Sequence, residues 1–211
     1  MTFRGNSRSA SAFTLAELLI VVGIIAILAA IAVSNYALVS VRSKVARVHS
    51  ELRTLAGAIE MYNVDHDRQP RMADFVFYGD VAFDTIDGVV VRGVMSKALS
   101  TPIAYATNAH VRDPLMDGNS AANLDEQIYT YHDLDSYIHH EPNSSFWPRA
   151  KDFYGEWRLI SVGPDLDFGH GFSNSAQLPY DPTNGTVSLG NIIYAHNQDR
   201  GFPPDGILGI H

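Results

Sequence analysis

"FTLAELLIVVGIIAILAAIAV", Phe13 to Val33, is an apolar run of helix-forming residues with a single acidic side chain, Glu17, near its start. As a helix it would be about 31 Å long at roughly 1.5 Å per residue, enough to cross the hydrocarbon of a bilayer. Arg4 and Arg8, the charges ahead of it, put the N-terminus in the cytoplasm. A carboxylate in hydrocarbon costs on the order of 3 kcal/mol at mid-span, less near an end, so Glu17 is expected to have a partner. No basic residue lies between Arg8 and Arg42. A cut just before Phe13 would create an α-amino group four residues from Glu17, in the same molecule or in a neighbour. The step is short for one straight helix, so a pair between staggered neighbouring helices is the more natural geometry.

Two other uses of the run stay open. One is a secretory signal with an A-x-A site at Ala30-Ile31-Ala32 and a soluble product starting at Val33, a secreted enzyme or carbohydrate-binding domain. The run exceeds the roughly 7 to 15 residues of a usual signal core, and it carries Glu17. The other is a plain anchor for a membrane-tethered binding module that never polymerises.

Beyond the run, punctuation residues divide the chain. All ten prolines lie at or after Pro70, and 13 of 16 glycines follow residue 64, so little interrupts a helix before that point. Charge changes at the same place. Residues 65 to 211 hold 20 Asp and Glu against 9 Lys and Arg, whereas Ser34 to Val64 holds Arg42, Lys44, Arg47 and Arg53 against Glu51 and Glu60. The net charge of −8 and the absence of a basic patch argue against nucleic acid as a partner. The absence of cysteine excludes disulfides and thiolate metal sites.

Ala12 followed by Phe13-Thr14-Leu15-Ala16-Glu17-Leu18-Leu19 resembles the class III signal of type IV pilins and type II secretion pseudopilins. The resemblance implies cleavage after Ala12 by prepilin peptidase and N-methylation of Phe13. It also implies assembly through the retained helix, with Glu17 neutralising a neighbour's terminal amine. The chain would be a bacterial inner-membrane single-pass precursor and then part of a periplasmic or extracellular homo-oligomeric filament. An inner-membrane platform and an assembly ATPase would drive its assembly, and the subunit itself would not be an enzyme. Two positions depart from the usual pattern: Ala12 stands where Gly is usual, and Ser34 where many members have Pro.

From Ser34 the pattern turns amphipathic. Val41, Val45, Val48, Leu52, Leu55, Ile59 and Tyr62 alternate spacings of four and three, the stripe of a helix that covers the protein's own sheet or, as the alternative, of a free coiled coil; packing on the sheet is the expectation. One helix from Thr14 to about Val64 is expected, ending near Asp65-His66-Asp67, before Pro70. "GVVVRGVM" (88–95) and "EWRLISV" (156–162) read as strands; 113–127 and 139–152 read as long loops or short helices. The expected fold is α+β: a long N-terminal helix, apolar then amphipathic, packed on a loop-rich antiparallel β-sheet head. The expected segments are a leader (1–12), a membrane or filament-core helix (13–33), an amphipathic helix (34–64) and the head (65–211).

The head carries 17 Asp and 3 Glu. In "SVGPDLDFGHGFSNSAQLPYDPTNG", Asp165, Asp167 and Asp181 stand among glycines and prolines. That composition serves either plain turn chemistry or a calcium ion held by carboxylate and carbonyl oxygens. The stretch resembles the C-terminal calcium loop of major pseudopilins, which implies those three aspartates as ligands. No catalytic or phosphate-binding motif occurs, and the nine histidines read as scattered surface residues.

Overall fold

The computed structural model describes residues 13–73, 84–86, 89–91, 93–116, 127–166, 179–183, 188 and 190–197. Helix α1 runs unbroken over Leu15–His66 and contains two glycines, Gly23 and Gly57, and no proline. It ends where Asp67 takes a left-handed conformation (φ 54°) and donates its N–H to the Asn63 carbonyl at 2.8 Å. Asp tolerates that conformation better than most residues, and Pro70 follows. Contacts divide the chain into two units, Met1–Ser40 and Val41–His211.

In the second unit the main sheet has five strands in the order β1-β4-β5-β6-β7, every neighbour antiparallel. They are β1 (Met72–Ala73), β4 (Val94–Met95), β5 (Thr130–Asp133), β6 (Trp157–Ser161) and β7 (Ile192–Ala195). Strands β2 (Asp84–Ile86) and β3 (Val89–Val91) pair with each other in a separate two-stranded sheet. The expected single strand over 88–95 is therefore two strands in different sheets. Gly93, at φ 64°, breaks the extended run between them. The expected strand at 156–162 forms as β6.

Alternation along the strands sorts the head into layers. Tyr129, Tyr131, Trp157, Leu159 and Ile192 share a core with Val48, Leu52, Leu55, Ile59 and Tyr62 of α1. On the other sheet face, helices α2 (Leu134–His140) and α3 (Phe146–Tyr154) build a smaller core with Leu134, Trp147, Ala150, Tyr154 and Ala195. The periodic stripe of α1 thus covers the protein's own sheet. Because β6 lies under helices on both faces, all five of its residues are buried, including Arg158. The interval 139–152 contains the end of α2 and most of α3, while 117–126 lies outside the described residues.

Polar groups fix the sheet to the helix at several heights. Tyr129 donates its hydroxyl to Glu51 Oε2 (2.6 Å), and Trp157 donates its indole N–H to Glu60 Oε1 (3.1 Å). Tyr131 donates to the Pro70 carbonyl (2.8 Å). On the other side of the sheet, Asp133 caps α2 through Ser136, its side chain accepting both the amide and the hydroxyl of that residue. A buried carboxylate, Asp113, closes the loop beyond β6. It accepts from Ser161 Oγ (2.5 Å), the Val162 amide (3.1 Å) and the Leu115 amide (2.9 Å).

Candidate functional site

The first turn of α1 is organised by two side chains. Thr14 Oγ1 accepts the Glu17 amide at 3.2 Å, and Glu17 Oε2 accepts both the Thr14 amide (2.9 Å) and the Thr14 hydroxyl (2.7 Å). This reciprocal arrangement is a capping box: Thr14 at the cap and Glu17 three residues on satisfy orphan N–H groups at the helix start. A negative side chain at this end also complements the helix dipole. Within its own chain Glu17 is thus bonded to Thr14, three residues back. Both Thr14 bonds converge on one carboxylate oxygen, which leaves Oε1 turned to the surroundings.

Phe13, the residue ahead of the cap, is 77% exposed, and every large apolar side chain described from Leu15 to Val33 is exposed as well. An 18-residue window of α1 has a mean hydropathy of 2.9 and none of it is buried within the chain, so the helix is long and apolar enough to cross a membrane. An apolar surface this large needs a non-aqueous neighbour, either lipid or other helices. Ala12 lies outside the described residues.

One comparison bears on this segment and a second on most of the chain. The model of a family described as the prokaryotic N-terminal methylation motif matches residues 7–33, the stretch that holds the cap, Glu17 and the apolar run. The chain is also 34% identical over 150 residues to the type IV major fimbrial protein FimA of Dichelobacter nodosus, covering 71% of this chain and 87% of that protein. The chain belongs to the type IV pilin family. No solved structure matches it.

Two aspartates of the pilin's loop after β6 accept donors from within the head. Asp165 accepts the Gly190 amide at 3.0 Å. Asp181 accepts the Thr183 amide (2.8 Å) and hydroxyl (2.7 Å), which hold its carboxyl below the usual range. Asp167 lies outside the described residues, and among the described residues no three Asp, Glu or His side chains gather as metal ligands.

Several functional groups escaped the sequence reading. Thr14 is one, although the signal was legible: "TLAE" is a Thr-x-x-Glu capping box. Glu51 and Glu60 are others, read only as charges on the stem. His132 is not a surface histidine. It packs edge-on to Tyr137 (5.0 Å) and Trp147 (6.2 Å), and its Nδ1 accepts from Arg158 Nε at 3.0 Å. Only the register of β5 on β6, which sets residue 132 opposite residue 158, brings that pair together.

Proposed function

We propose that this pilin is the structural subunit of a surface pilus, cut after Ala12, methylated on Phe13 and polymerised through the apolar half of α1. The observation that carries the reading is the methylation motif over 7–33, overlapping the part of α1, Leu15 to Val33, whose large apolar side chains are exposed. Residues 1–12 act as the leader, 13–33 as the membrane and then filament-core segment, 34–64 as the amphipathic stem and 65–211 as the head. The subunit performs no chemistry; prepilin peptidase, an inner-membrane platform and an assembly ATPase act on it. Its relative is a major fimbrial protein, which supports a pilus over a secretion pseudopilus.

Cleavage after Ala12 would leave the capping box intact, because Thr14 and Glu17 both lie downstream of the cut. Glu17 Oε1 would then receive the new amine of a neighbouring subunit while Oε2 stays on Thr14. Glu17→Ala should give a folded, membrane-inserted monomer that fails to polymerise, read by electron microscopy of sheared surface fractions. Filaments at normal abundance from this variant would end the assignment. Mass spectrometry of the native protein should find methylated Phe13 at the N-terminus; a start at Val33 would instead make the run a signal peptide.

The same reading includes a calcium ion in the loop from Ser161 to Asn184, through Asp165, Asp167 and Asp181. The thermal midpoint should rise in millimolar calcium relative to EDTA, and Asp167→Asn should remove the rise. Equal midpoints in the two conditions would leave the aspartates with their turn-making role alone.

A further inference from the structure

A polar cleft of about 290 Å³ lies between the segment that leaves α1 and the start of α2, lined by Arg68, Gln69, Arg71, Asp135, Ser136 and His139 with Asp133. Both walls are braced. On one side Pro70 is held by the Tyr131 hydroxyl, and Gln69 donates its amide N–H to Glu156 Oε2 at 3.0 Å. On the other side Asp133 caps α2. A site whose walls are fixed before binding loses little to ordering when a ligand enters.

The charges lining the cleft are unevenly engaged. Asp133 serves its cap, Asp135 pairs with Lys151 at 2.6 Å, and Arg71 is engaged as well. Arg68 and His139 make no hydrogen bond or ion pair among the described residues, and both are exposed. The groups left to meet a ligand are therefore a guanidinium fork, an imidazole and the side-chain carbonyl of Gln69. A guanidinium matches a carboxylate through two parallel N–H bonds. A carbonyl and an imidazole suit hydroxyl groups. The surrounding head is strongly acidic, with 20 Asp and Glu against 9 Lys and Arg after residue 64, and that field disfavours multiply charged anions. The volume suits one sugar ring.

We propose that this cleft binds a singly charged carboxylated sugar, its carboxylate on Arg68 and its ring hydroxyls on Gln69 and His139. The assignment does not depend on whether the subunit polymerises.

The test is a titration of the full-length, isotope-labelled protein in detergent with glucuronate. Glucose serves as the uncharged ring and acetate as the charge without a ring. Glucuronate should shift the amides of Arg68, Gln69, Arg71 and residues 136–139 saturably, at least about tenfold more tightly than either control. Arg68→Gln should lose about tenfold in affinity with an unchanged thermal midpoint, since Arg68 braces nothing in the head. Arg68→Lys, which keeps the charge without the fork, should recover only part of it. Glucuronate binding no tighter than acetate would reduce the cleft to a general anion site and overturn the sugar assignment. Equal binding of glucose, or wild-type affinity in Arg68→Gln, would overturn the role of Arg68.

Discussion

Arg158 sits fully buried in the middle of β6, with its guanidinium 5.0 Å from the centre of the Tyr154 ring and its Nε–H on His132. The acceptor nitrogen of His132 has to be unprotonated for that bond to exist. Burial and the neighbouring Arg158 charge hold the imidazole well below its usual pKa of 6.5. His49 on α1 is lowered too, by partial burial and by Arg53. An unfolded chain therefore binds protons at these positions more readily than the folded one. Their contribution to stability is full above pH 6.5 and falls as pH drops below it. Carboxylates with lowered values, Glu156 and Asp181, lose their contribution only further down, below 4.5 and 3.8. Asp113 runs the other way: burial raises its pKa, so it costs stability as pH climbs past 3.8. The fall between pH 6.5 and 5 thus belongs to the histidines. The drop in urea midpoint from pH 7 to pH 5 should shrink in His132→Gln, which keeps an acceptor for Arg158 but does not titrate. An undiminished drop would count against His132. None of this was legible from the sequence, since residues 26 apart become neighbours only through strand register.

At the scale of elements, legibility followed periodicity. Helix α1 could be read because one face repeats every three or four residues over Val41 to Tyr62, and its end because Asp67 and Pro70 punctuate it. Strands β5 and β7 were missed for a physical reason. They are short and flanked by apolar cores on both faces, so "TYHD" and "IIYA" show no alternation of apolar with polar residues. Strand β6 survived that difficulty because Gly155 and Gly163 bracket it. Gly155 ends α3 at φ 87°, and a side chain there would meet His196 Cβ at 2.9 Å. Gly163 is tighter still, at φ 81° with a substituent 2.1 Å from the Gly190 carbonyl oxygen. Backbone would have to move to admit a methyl group, and the Asp165 bond to the Gly190 amide would move with it. Gly163→Ala should destabilise the head by about 3 kcal/mol or more, measured by denaturant unfolding, whereas Gly57→Ala on the open face of α1 should stabilise slightly. Comparable effects at the two glycines would contradict this account.

For the molecule as a whole, the charge boundary near residue 64 was readable, but the structural boundary falls elsewhere, at Ser40 and Val41. The stem from Val41 belongs with the head because its stripe is core and because Glu51 and Glu60 receive donors from the sheet. Each of those bonds engages a carboxylate. Tyr129→Phe should cost about 1.5–3 kcal/mol of unfolding free energy, and Trp157→Phe a similar amount plus any packing lost. A loss under a few tenths at both positions would mean water replaces the sheet donors without cost. The bonds to Glu51 and Glu60 also have a mechanical meaning. They stand nine residues apart on the helix, about 14 Å at 1.5 Å per residue, and both cross the helix–sheet interface. A slip of α1 by one turn, about 5.4 Å, would break both together. Tension applied along α1 therefore loads them in parallel as shear, the geometry in which no bond can be peeled away before its neighbours. A pull on the stem of α1 from Val41 onward is therefore passed to the sheet through both bonds at once, and stem and sheet move as one piece.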